Sequence, residues 1–177
     1  VSLGGELCMR AAAMEPRIRR VVSWSVLPSI YGALMADKPA EIRAKLEHWL
    51  DENNRDAILD LYAGLAEREP LFRWSIQHSN YAYGTSDVYE YLQKARAFTI
   101  EPVAERITQD VLLLSAREDL LVDFALYKQE IDLLKNTRSL EFAAPGRALN
   151  GQAHCNMGNT KYMLDLILNW NDRMLER

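Results

Sequence analysis

The sequence predicts an α/β fold: about three parallel strands flanked by helices, with a long helical insertion acting as a lid. Three observations carry this reading. Short strand-like runs alternate with stretches of helical period, as when helices cover the faces of a sheet. The run from Asp110 to Ala116 (Asp-Val-Leu-Leu-Leu-Ser-Ala) is almost continuously apolar, as expected for a strand buried on both faces of a parallel sheet. Between the first and second strand-like runs lies a long insertion marked mainly by helical period.

Taken in order, residues 3–15 are rich in helix formers and stop at Pro16, where a helix should end. Gly4 and Gly5 in the first turn weaken that helix, and a close approach of backbone there would explain them. Arg20 to Leu27 is β-branched and reads as the first strand. Ile42, Leu46, Trp49 and Leu50, then Ile58, Tyr62 and Leu65, mark two amphipathic helices divided at Asn53-Asn54 and ended by Pro70. An aromatic-rich stretch (Phe72, Trp74, Tyr81, Tyr83) runs to Gly84, and Ser86 is expected to cap a further helix through Val88, Leu92 and Ala95. After the apolar strand come a helix over 124–136, a strand over 139–144 and a closing helix over 159–174 with Met163, Ile167 and Trp170 inward. The expected division is 1–36 for the first core segment, 37–106 for the insertion and 107–177 for the rest of the core.

At 177 residues, 49% hydrophobic and 26% charged, the chain can bury the core of one soluble domain. A net charge of −4 leaves no basic footprint for nucleic acid. No apolar run approaches the roughly 18 residues of a membrane span. Two cysteines, Cys8 and Cys155, form no disulfide framework, so a cytoplasmic setting is expected. With only those and three histidines, the spacing offers no metal site.

Val1-Ser2-Leu3-Gly4-Gly5 reads as the back half of a G-x-S-x-G nucleophile elbow, in which a serine on a sharp strand-to-helix turn is exposed. The next backbone N–H, that of Leu3, would supply one oxyanion donor. A serine hydroxyl needs an imidazole to take its proton, and the imidazole needs a carboxylate to fix its tautomer. His154 follows the last strand in Gly151-Gln152-Ala153-His154, and three acids follow the apolar strand: Glu118, Asp119 and Asp123. Each candidate lies past the C-terminal end of a strand, where open α/β sheets place their sites. Ser2 could instead be an ordinary helix cap, and His154 a structural loop residue. His48 reads as a surface residue. His78, with Trp74 and Tyr81, could face substrate or serve packing. Cys155 beside His154 is a weak thiol candidate.

The chain resembles the C-terminal half of α/β-hydrolase superfamily serine hydrolases, and within them the lidded acylaminoacyl-peptidase-like and dienelactone-hydrolase-like group. The resemblance rests on Ser2-Leu3-Gly4-Gly5, on Glu15-Pro16-Arg17-Ile18 running into a strand, on Ile107-Thr108-Gln109-Asp110-Val111-Leu112-Leu113-Leu114 followed by Glu118-Asp119, and on His154-Cys155-Asn156-Met157-Gly158-Asn159. It covers nearly the whole chain and implies a Ser2-Asp119-His154 triad, no cofactor, and activity on ester, amide or peptide-type acyl bonds. Among the three acids, it favours Asp119. Two positions depart from it: Arg117 stands where glycine or alanine is usual, and Leu120 where a polar residue often sits.

The chain opens at Val1, one residue before the serine. The strand bearing the nucleophile and the loop giving a second oxyanion donor are therefore expected to be missing. That predicts a weakly active or inactive chain with an unpaired edge on its first strand. Such an edge invites a homodimer or association with an N-terminal half.

Overall fold

The computed structural model describes residues Val1–Glu176. Arg177, the last residue of the expected final core segment, lies outside them. Three parallel strands form one sheet in the order β1-β2-β3. They are β1 (Arg20–Trp24), β2 (Asp110–Leu114) and β3 (Ser139–Ala143), with Arg20 opposite Asp110 and Asp110 opposite Ser139. All five residues of the central strand β2 are buried, as its continuous apolar run requires.

The period-2 alternation of side chains explains the two layers around the sheet. Val21, Val111 and Leu113 point to one face, with Met9 and Ala12 from helix α1 (Leu3–Met14), Ile100, Ile107, and Leu134 just beyond α7 (Leu126–Leu133). Trp24, Leu112 and Leu114 point to the other, where Met163, Trp170 and Met174 of the closing helix α8 (Thr160–Leu175) cover them. Asn159 caps α8 by accepting the Tyr162 N–H. At the start of β2, Asp110 accepts from Arg138 and, at 2.8 Å, from Ser139 Oγ. The Arg138 guanidinium holds its carboxyl below the usual carboxylate range.

The chain forms two compact units: Val1–Ala36 with Thr99–Arg177, and Asp37–Phe98. The second unit holds α3 (Ala40–Asp51), α4 (Arg55–Arg68), α5 (Pro70–Tyr83) and α6 (Val88–Ala95). Its core is Leu46, Leu50, Ile58, Tyr62, Val88 and Leu92. Its boundary falls at Phe98 rather than at residue 106. The 3₁₀ turn Glu101–Arg106 belongs with the sheet, because Ile100 and Ala104 bury their side chains in the first unit.

Several local expectations are corrected. The first strand stops at Trp24, not Leu27, because Ser25 turns to φ 94 and leaves the extended region. A short helix α2 (Ile30–Ala36) follows it. The aromatic stretch after Pro70 is itself a helix, α5. Proline at its first position starts it, since the missing N–H is unneeded there. Gly84, in the left-handed region, ends it. The cap of α6 is Asp87, which accepts the Glu90 N–H at 3.0 Å, while Glu90 accepts the Ser86 N–H in return.

Candidate functional site

Ser2 sits where the end of β1 meets the start of α1. Its N–H donates to the Trp24 carbonyl at 2.8 Å, tying it to the C-terminal end of β1. Its backbone, at φ 54 and ψ −125, is in a region that L-residues avoid. The turn is tight because Gly5, one helical turn on, lies against β1's extension. A Cβ on Gly5 would come within 2.2 Å of the Ser25 carbonyl oxygen. The close approach anticipated for the glycine pair therefore occurs at Gly5, while Gly4 meets nothing within 4 Å.

The Ser2 hydroxyl does not cap α1, since its side chain makes no capping bond. It is 2.9 Å from His154 Nε2. On the far side of the ring, Nδ1 is 2.8 Å from Asp119 Oδ2 and 3.0 Å from Oδ1. With a carboxylate facing it, Nδ1 carries the proton and donates, which leaves Nε2 to accept from the Ser2 O–H. The Asp119 side chain is 3% exposed, and its Oδ1 also accepts the N–H groups of Leu121 at 2.8 Å and Val122 at 3.1 Å. Those amides fix its orientation. The Leu3 N–H stands at the first position of α1, where no intrahelical acceptor exists.

The other two acids are spent elsewhere. Glu118 forms a two-pronged ion pair with Arg147 (2.6 and 2.5 Å), which holds its carboxyl below the usual range. Its N–H donates to the Gln152 carbonyl at 2.9 Å, so the acid loop and the histidine loop are clamped together. Asp123 caps the following turn through the Ala125 N–H. Neither cysteine competes with Ser2. Cys155 is buried with its Sγ 3.5 Å from Ser25 Oγ, and burial pushes the Cys8 thiol up to about 11.

Asn156 organises the site, and sequence reasoning overlooked it. It is fully buried. Its Oδ1 accepts the Trp24 indole N–H at 3.0 Å, and its Nδ2 donates to the carbonyls of Ser115 (3.1 Å) and Gly151 (2.5 Å). One amide thus joins the ends of β1 and β2 to the loop that presents His154. Asn150, Cys155 and Asn156 all take positive φ near 52°. The signal was available, because asparagine enters the left-handed region more readily than other side-chain residues. Gly158 is needed for a different reason: a Cβ there would lie 2.2 Å from the Asn150 carbonyl oxygen.

Trp74, His78 and Tyr81 belong to the four-helix unit and share one face of α5. Trp74 and His78 stack at 5.2 Å, and Trp74 and Tyr81 are largely exposed. Phe72 and Tyr83 do pack, against Tyr62 and against Tyr91 and Phe98. Among the described residues, no group of three or more His, Cys, Asp and Glu could hold a metal ion. No helix among them is long and apolar enough to cross a membrane.

No protein-family model matches the sequence, and no curated protein matches it. Among solved structures, the chain is similar to the enol-lactonase from Burkholderia xenovorans LB400, at 19% identity and a TM-score of 0.43. The match covers 98% of this chain and 63% of that one. The chain therefore spans less than two thirds of the enol-lactonase's length, and a likeness at this TM-score carries no weight for either fold or site.

Proposed function

We propose that the chain carries the site of a serine hydrolase of the α/β-hydrolase superfamily, of the lidded acylaminoacyl-peptidase-like and dienelactone-hydrolase-like kind, acting on an ester, amide or peptide-type acyl bond. One observation carries the reading: a hydrogen-bonded relay runs from Asp119 through His154 to Ser2. Its members come from three separate segments, in the chain order nucleophile, acid, base. Ser2 Oγ attacks the acyl carbonyl carbon as His154 Nε2 takes its proton. The carbonyl oxygen gains the charge and turns to the Leu3 N–H. Collapse breaks the bond to the leaving oxygen or nitrogen, which receives that proton from Nε2. Water then repeats the sequence and releases the acid. Asp119 holds the ring and stabilises the imidazolium throughout.

In this reading the four-helix unit is a substrate-selecting lid, with the exposed Trp74, His78 and Tyr81 face as its candidate contact surface. The Leu3 amide is the oxyanion donor that the start of α1 offers, and loss of such a donor costs about 10²–10³ in rate. A strand from a second copy of this chain, laid along β1, would extend the sheet beside Ser2. Among the described residues β1 pairs with β2 alone. That open edge also supports the second reading, a non-catalytic module acting through association.

A fluorophosphonate probe separates the two. Its phosphorus bonds to a serine oxygen as fluoride leaves. Labelling is expected on Ser2, absent in Ser2→Ala and His154→Ala, and slowed about 10⁴-fold in Asp119→Asn. Ser2 left unlabelled in the folded chain would reject the catalytic reading.

A further inference from the structure

We infer that a pocket of about 530 Å³ lined by Leu120, Leu121, Ala153 and His154, with Glu118 and Gln152, receives an apolar leaving group: the alkyl or aryl part of a neutral alcohol or amine. The volume is within the usual range for small-molecule sites. The inference rests on the hydrolase reading for the direction of the reaction, while the pocket itself stands on geometry alone.

His154 gives the pocket its meaning. The nitrogen that faces Ser2 Oγ at 2.9 Å must also return the proton to the departing atom. That atom has to come within hydrogen-bonding reach of Nε2, so whatever is attached to it extends along the histidine side. The carbonyl oxygen is drawn to the Leu3 N–H instead. The pocket is lined by the histidine and by the acid loop, with neither Ser2 nor Leu3 in its wall.

Its chemistry is set by the loop that carries Asp119. Leu120 and Leu121 are 96% and 68% exposed, adjacent leucines held in water beside the imidazole. Their backbone is pinned, because Asp119 Oδ1 accepts the Leu121 and Val122 amides and the Glu118 N–H reaches the Gln152 carbonyl. A loop fixed at this many points presents its apolar side chains deliberately. The one charged side chain in the lining, Glu118, is committed to Arg147. No free charge is left to attract an ionic leaving group.

Two measurements on the full chain test this. In the first, hexan-1-ol and methanol are titrated while the Leu120 and Leu121 methyl and His154 ring resonances are followed by NMR. Saturable shifts with hexan-1-ol, absent with methanol and lost in Leu120→Ser/Leu121→Ser, are expected. In the second, acetate esters of methanol, butan-1-ol and hexan-1-ol are compared with methyl esters of acetic, butanoic and hexanoic acids. kcat/KM should rise about fourfold for each methylene added to the alcohol. The double variant should flatten that series, while the acid series keeps its own dependence on length. Shifts that never saturate, or a length dependence confined to the acid series, would overturn the inference. If no ester turns over and Ser2 takes no fluorophosphonate label, the hydrolase reading fails, and the titration alone decides whether an apolar alcohol site exists.

Discussion

At pH 8.5 the Glu130→Met variant is expected to melt on the order of 10 °C above the wild-type chain, and at pH 5 close to it. Glu130 on α7 and Glu6 on α1 are both fully buried, and none of their four carboxylate oxygens has a hydrogen-bond partner among the described residues. Burial raises the Glu130 carboxyl to about 8. Neighbouring Glu6 adds to the rise, and the Leu27 amide offsets part of it without completing a full hydrogen bond. Burial also raises Glu6, against the pull of Arg10, whose guanidinium is 3.6 Å away. In the unfolded chain Glu130 titrates near its ordinary 4.5. Between that value and about 8 the folded chain binds more protons than the unfolded one, so stability falls as pH rises through this window and levels off above it. The full loss is on the order of 4 kcal/mol. A methionine of similar length removes the titration. Differential scanning calorimetry across pH 5–8.5 checks this; a wild-type melting temperature flat over that range, or a variant with the same slope, would sink it.

The second large effect is steric. Gly5→Ala is expected to lower stability by about 1–3 kcal/mol and to separate Ser2 from His154. Its new Cβ would sit 2.2 Å from the Ser25 carbonyl oxygen and 3.1 Å from Ser23 Oγ, and the first contact is backbone, which cannot swing aside. Either α1 or the chain leaving β1 must move, and Ser2 hangs between them through its bond to Trp24. Gly4→Ala is the control. It meets nothing, and alanine in a helix stabilises by roughly 0.5–1 kcal/mol over glycine. Urea unfolding of both variants should therefore give shifts of opposite sign. Equal midpoints would show that α1 does not press on β1 as described.

The parts of the molecule legible in the sequence are those fixed by local pattern. The parallel sheet follows from the apolar run of β2, and the order Ser2, Asp119, His154 follows from where each sits relative to a strand end. Choosing among Glu118, Asp119 and Asp123 was not possible from spacing, because three neighbouring loop residues point wherever tertiary contacts send them. Here Arg147 takes Glu118, the Ala125 N–H takes Asp123, and only Asp119 faces the imidazole. Helix α5 was hidden because a proline before an aromatic run reads as a stop, yet at the first helical position it is a start. Glu6 and Glu130 carry no mark at all, since a glutamate in a helix normally faces water and only packing reveals otherwise. Asn156 joins three segments that are distant in sequence, and no window along the chain contains its partners.

Arg20 lies opposite Asp110, so the first rung of the ladder must wait until the intervening polypeptide, about half of the chain, has been gathered in. Closing so long a loop is entropically slow, and contacts this distant delay assembly. Residues 37–98 have only local neighbours to find and should collapse first, shortening the effective tether before β1 and β2 zip. The tryptophans divide conveniently: Trp49 and Trp74 lie in the helical unit, Trp24 and Trp170 beside the strands. In stopped-flow refolding, fluorescence from the first pair should change earlier than that from the second, as read in Trp→Phe variants that retain one pair each. A single shared rate would mean that the two regions form together.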